Sequence, residues 1–284
     1  MTRQIDGKLK YFLETVPPGF LVDTPWLASR NIDRKLAYWY VKRGWLESAA
    51  QGVYRRPVMV DDGVSGGAGW KTTVISIQQL MGYDVHLGGR TALNIQGFYH
   101  YLAFSPNETI YLYGDSPTWL KRLPSTAKFV TRTRSLFGQS NAGVDRDQNF
   151  AGAAEAEEAL YLSPRRWPLI MSSPERAILE MLNELPKNES FHILDKLFEG
   201  LSNLRPELLG ELLRLCSSIK VKRYFFVFAD RHKHGWRKYI STTGINLGSG
   251  PRFTFAGGRI HPEYKISVPA EFLSSSDWNN ADGA

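Results

Sequence analysis

Apolar residues recur at helical spacing near the start of the chain, where Leu9, Phe12 and Leu13 share a face between Lys8 and Thr15, and Pro17-Pro18-Gly19 ends the segment. Next, Asp23 or Thr24 offers an N-cap oxygen and Pro25 stands in the first turn, where a missing N–H costs nothing, so a short helix to about Ser29 is predicted. Asn31, Ile32 and Asp33 break it. Asp33 is a second N-cap, and a helix from Arg34 to about Arg43 follows, stopped by Gly44 in a left-handed conformation. Projected at about 100° per residue, that helix carries Leu36, Ala37, Tyr40 and Val41 on one side and Arg34, Lys35, Tyr38, Trp39 and Lys42 on the other. Trp45-Leu46-Glu47-Ser48 and Val53-Tyr54-Arg55-Arg56 then have strand character around the turn Ala49-Ala50-Gln51-Gly52. Two capped helices across a tight turn, followed by a hairpin, describe a winged helix-turn-helix. Its recognition helix would present Arg34, Lys35, Tyr38, Trp39 and Lys42 to DNA, with Arg55 and Arg56 as a basic clamp on the wing.

Beyond Pro57 the pattern changes. Asp61 to Gly69 is dominated by Gly and reads as a linker or a long loop. Val74, Ile75, Gln78, Leu80 and Met81 predict a helix within 72–81, and Gly88 to Gly97 a turn into another. Thr109 to Tyr113 and Lys128 to Arg132 have the β-branched and aromatic content of strands. Residues 138–154 are Gly, Asn, Asp and Ala rich, hence irregular. Ser173 caps a helix from Pro174 to Leu185, and further helices are expected over 191–201 and 206–217. Val221 to Ala229 is so apolar and aromatic that it fits either a strand or a buried helix. The fold class is α+β: a winged helix-turn-helix over 1–60, a Gly-rich linker or loop over 61–70, a larger mixed α/β domain over 71–273, and a frayed polar tail over 274–284.

Charge sharpens the functional side. Residues 1–60 hold ten Lys or Arg against five acids, a net of +5 in a chain of 284 residues whose total is +7. Such a concentration favours a polyanionic partner, and no apolar run is long enough to span a membrane. No export signal opens the chain, which predicts a cytoplasmic protein. A single cysteine, Cys216, leaves no disulfide framework and reads as a buried thiol. A second basic patch is expected from Lys220, Lys222, Arg223, Arg231, Lys233, Arg237 and Lys238, interleaved with Tyr224, Phe225 and Trp236, to grip DNA backbone, RNA or an acidic protein. His232 and His234 lie among these cations, which disfavours a metal. The Gly clusters at 88–89, 248–250 and 257–258 lack the spacing of a phosphate loop. No catalytic arrangement is recognisable, so neither an enzyme, a cofactor nor a metal is expected.

The order of the wing, Gly88-Gly89-Arg90-Thr91-Ala92-Leu93, Ser172-Ser173-Pro174-Glu175-Arg176-Ala177 and Leu204-Arg205-Pro206-Glu207-Leu208-Leu209 resembles the AbiEi family of antitoxin-type transcriptional regulators. The stretch from Val221 to His232, then Asn246 to Gly250 and Ile260 to Pro269, is similar to that family's C-terminal part, so the resemblance runs from about residue 5 to 272. It implies the antitoxin of a type IV toxin-antitoxin pair linked to abortive infection and phage defence. The N-terminal domain would repress its own promoter, at inverted repeats in double-stranded DNA, and the C-terminal domain would counter a nucleotidyltransferase-like toxin without a stable complex. The implied recognition residues are Arg34, Lys35, Tyr38 and Lys42, with Arg55 and Arg56 on the wing. The alternative is a protein- or RNA-binding module, or a plain winged-helix regulator without antitoxin activity.

Overall fold

A computed structural model describes residues 2–58, 69–98, 108–145 and 167–273, with side chains from residue 7. The Gly-rich segment 61–68 and the tail 274–284 lie outside the described residues. The chain forms two compact units: one from Met1–His86, Phe104–Arg132 and Arg146–Ile170, the other from Leu87–Ala103, Thr133–Asp145 and Met171–Ala284.

In the first unit, helix α1 spans Thr2–Thr15, longer than the predicted Lys8 to Thr15. Gly7 does not stop it, because a glycine inside an exposed helix costs only about 1 kcal/mol and nothing presses on its position. Phe12 of α1 and Val16 just beyond it enter a core with Phe20, Val22, Trp26, Leu27, Ile32, Ala37, Tyr40 and Leu46. Strand β1 (Leu21–Asp23), helix α2 (Thr24–Ser29) and helix α3 (Arg34–Lys42) follow. Both predicted caps form: Asp23 Oδ1 accepts from Trp26 N–H at 3.0 Å, and Asp33 Oδ1 from Leu36 N–H at 2.7 Å. Gly44 closes the second helix at φ 75°. The wing strands β2 (Glu47–Ala50) and β3 (Val53–Arg55) pair antiparallel, and β1 adds to the other edge of β3, so the sheet order is β1-β3-β2.

The same unit takes in later residues. Helix α4 (Trp70–Ile75) runs into a π-helical turn, Ser76–Leu80. Ser76 Oγ accepts from Leu21 N–H at 3.0 Å, and Trp26 Nε1 donates to the Leu80 carbonyl at 2.8 Å. Asp23 Oδ2 accepts from Tyr83 Oη at 2.6 Å and from Trp119 Nε1 at 3.1 Å. Burial first, then the Asp23 carboxylate, pushes the Tyr83 phenol up to about 12, so it stays a donor at neutral pH. One buried carboxylate thus caps α2 and ties it to two distant segments. Trp119 lies on the crossover between β5 (Thr109–Gly114) and β6 (Lys128–Arg132), a parallel pair matching the two predicted strands.

Tyr40 is fully buried in the helix-turn-helix core, and its hydroxyl has no hydrogen-bond partner among the described residues. Burial raises its pKa. Tyr40→Phe is expected to raise stability by about 1 kcal/mol, because it deletes an unsatisfied buried polar atom without changing the packing. A urea midpoint that moves down instead would show that the hydroxyl is stabilising.

Strand β4 (Val85–Leu87) lies at the division of the chain. In the second unit Leu87 pairs in parallel with Met171 of β8 (Met171–Ser172), and β7 (Val144–Asp145) pairs antiparallel with β8. Helix α5 (Gly89–Ile95) packs on α6 (Pro174–Asn183), whose cap Ser173 accepts from Arg176 N–H. Arg176 and Glu180 of α6 are each 1% exposed and joined at 3.0 Å. Arg176 also donates to the Ser140 and Ala142 carbonyls at 2.9 and 2.8 Å, and Glu180 Oε2 accepts from Gly89 N–H and Ser172 Oγ, both at 2.9 Å. Helices α7 (Phe191–Gly200), α8 (Pro206–Leu215) and α9 (Ile219–His232) complete the helical part. Residues 221–229 of α9 are buried, with Phe225 and Phe228 against Phe198 of α7. A helix enclosed on every side shows no amphipathic period, which is why the pattern left strand and helix open.

Candidate nucleic-acid interface

Helix α3 owes its two faces to spacing. Ala37 and Tyr40 are buried, while Arg34, Lys35, Tyr38 and Lys42 are exposed. Arg34 and Lys35 make no ion pair among the described residues, so their charge is available to a ligand. Tyr38 is 59% exposed, and Lys42 Nζ sits 5.0 Å from its ring centroid. A cation–π contact of this kind keeps an exposed aromatic and a flexible cation side by side. Arg43, one residue beyond the helix and absent from the expected set, is also exposed, its guanidinium 5.2 Å from the Trp39 centroid. Arg43 is the C-cap, at the boundary of the predicted helix, where the side a residue faces is set by the turn that follows rather than by helical spacing.

Trp39 belongs elsewhere. It is half-buried against the core, edge-on to Trp45 at 5.0 Å, and its role is to pack α3 onto the start of the wing. The wing clamp also changes. Arg56 Nη1 donates to the Leu13 and Val16 carbonyls at 2.6 and 2.5 Å, and burial lowers its pKa. It caps the C-terminal end of α1, where cations meet orphan carbonyls and the negative end of the helix dipole. Arg55 is half-buried and sits in register with Leu21 and Glu47; strand alternation aims it away from Tyr54, which packs on the helix-turn-helix core. Arg56→Ala is therefore expected to lower stability by about 2 kcal/mol while leaving the salt dependence of any DNA binding unchanged. A reduced salt slope in an intact Arg56→Ala protein would return the residue to the interface.

The stretch 220–238 does not form one exposed basic surface. Lys220 donates to the Asn183 and Leu185 carbonyls at 2.7 and 2.8 Å, and burial pushes its pKa down. Lys222 is 4% exposed and Arg223 2%. Arg223 holds the Leu247, Gly250 and Lys265 carbonyls at 2.7 to 2.8 Å, fastening the following loops to α9. Arg231 pairs with Asp195 at 3.0 Å and Arg237 with Asp230 at 2.5 Å. His232 shares Asp195 with Arg231, and His234 reaches the Phe198 carbonyl. Of the seven cations only Lys233 and Lys238 are exposed without an ion pair among the described residues. Linear clustering misled here because the carbonyls and carboxylates that engage these cations come from distant parts of the chain. Among the described residues no group of His, Cys, Asp or Glu could hold a metal ion, and no helix is long and apolar enough to cross a membrane.

No functionally curated protein matches the chain. The crystal structure of the RV2827C protein from Mycobacterium tuberculosis is similar in fold, with a TM-score of 0.51 at 15% identity over 93% of this chain and 89% of that one. Residues 6–104 match the model of the AbiEi antitoxin N-terminal domain of transcriptional regulators, and residues 107–269 that of the transcriptional regulator, AbiEi antitoxin, of type IV toxin-antitoxin systems. With capped helices, wing and C-terminal part all accounted for, the chain belongs to the AbiEi family of antitoxin transcriptional regulators of type IV toxin-antitoxin systems.

Proposed function

We propose that this protein represses its own promoter through α3 and counters a nucleotidyltransferase-like toxin encoded beside it, in the cytoplasm. The observation that carries the DNA half is the exposed face of α3, where Arg34, Lys35, Tyr38 and Lys42 stand together on a helix whose opposite side is locked into the core. A helix presented this way enters the major groove of B-DNA, with its first residues nearest the base edges. Arg34 and Lys35 occupy that leading end. Lys42 stands two turns later, where flanking phosphates run. Two chains on inverted half-sites would give the palindromic operator that such regulators use, without requiring a stable dimer. The antitoxin half rests on family membership, and the second unit is its proposed seat, acting without a lasting complex with the toxin.

Arg34→Ala is expected to relax base preference at one operator position by about 1–3 kcal/mol, whereas Lys42→Ala weakens operator and random duplex alike. Quantitative binding to a library of singly substituted operators separates the two. Equal losses on every sequence for both variants would remove the specificity role of Arg34.

A further inference from the structure

The second unit contains an open cleft of about 300 Å3 between α8 and the turn that follows α9. Its floor is Gly210, in the middle of α8 and buried. A glycine inside a helix is less stable there than alanine. The fold does not demand it: its φ is not left-handed, and an added Cβ would meet only Arg214 Nη1, at an ordinary 3.5 Å. What the missing Cβ does provide is the depth of the cleft.

The side chains around that floor are of three kinds. Tyr239 is 68% exposed and, with the partly exposed Pro206, offers flat apolar surface. Arg214 is exposed, makes no ion pair among the described residues, and holds its guanidinium over the floor; Lys238, outside the lining, stands 4.9 Å from the Tyr239 ring centroid. Ser241 Oγ accepts from Thr243 N–H at 3.0 Å, which leaves its own O–H to donate. Glu207, exposed in the first turn of α8, can only accept when ionised.

A flat surface, a cation with hydroxyl donors, and a lone acceptor suit a ligand that joins a planar ring, an anionic group and sugar or amino donors. We propose that this cleft binds a nucleotide, its base against Tyr239, its phosphate at Arg214 and Ser241, and its ribose or base donors at Glu207. Aromatic stacking accepts every base, and Arg favours phosphate. The nucleotide can be free or the end of an RNA strand, and the inference stands independently of promoter binding.

The test titrates the full chain by calorimetry with AMP, GMP, CMP and UMP, the matching nucleosides, inorganic phosphate and a mixed-sequence pentaribonucleotide. The expected result is saturable binding of at least one nucleotide probe below about 1 mM. Tighter binding of the pentamer than of any mononucleotide identifies a strand end, and the reverse a free nucleotide. Gly210→Ala should weaken binding at least about tenfold while its Tm equals or exceeds that of the wild type, because alanine favours the helix and fills the floor. Arg214→Ala should erase the preference for nucleotide over nucleoside. Absence of saturation below about 1 mM for every probe, or wild-type affinity in the folded Gly210→Ala protein, overturns the proposal.

Discussion

Glu180→Ala is expected to destabilise the second unit by about 3–5 kcal/mol, the largest single effect in the molecule. Glu180 and Arg176 are both 1% exposed, so the substitution leaves a guanidinium buried without its counter-charge. It also strips the acceptor from Gly89 N–H, at the start of α5, and from Ser172 Oγ on β8. Arg176 retains the Ser140 and Ala142 carbonyls and the Phe137 ring 4.5 Å away, which orient the guanidinium but do not neutralise it. The double replacement Arg176→Met with Glu180→Leu should cost less than Glu180→Ala alone, because it removes both charges together. Chemical denaturation followed by circular dichroism measures both against the wild type. A loss below about 1 kcal/mol for Glu180→Ala would mean that the buried pair contributes little.

Replacing Arg34, Lys35 and Lys42 together by alanine is expected to lower promoter affinity by about two to three orders of magnitude and reduce the salt slope by nearly one per lost phosphate contact. The three side chains are exposed, so the fold should be preserved. A reporter under the chain's own promoter should be derepressed, while protection of cells against the toxin persists. This outcome would separate the regulatory from the antitoxin activity. Loss of both, in a folded variant, would instead place antitoxicity on the same face or downstream of DNA binding.

What could be read from the sequence was local. Asp23, Asp33 and Ser173 each accept from the N–H three residues further along the chain, and Gly44 stops a helix by its own φ, so residue types at fixed spacing suffice to place them. Strand β1 escaped because Leu21, Val22 and Asp23 become a strand only by pairing with Val53–Arg55, some thirty residues on. Arg56, Lys222 and Arg223 were misplaced for the related reason that a cation's exposure depends on tertiary partners, which a charge count ignores. Trp39 lies at the edge of α3, where the helical projection cannot tell a half-buried ring from a free one. The bond from Asp23 to Tyr83 and Trp119, which links the helix-turn-helix to the rest of its unit, had no signal in the pattern at all.

The central claim is that α3 reads the chain's own promoter. Its most direct measurement is the equilibrium affinity of the full chain for a duplex covering that promoter, against a scrambled duplex of equal length and composition, at fixed salt. The account predicts tighter binding to the promoter by at least about a thousandfold, with a footprint inside it that Arg34→Ala makes less selective. Equal affinity for both duplexes would contradict it.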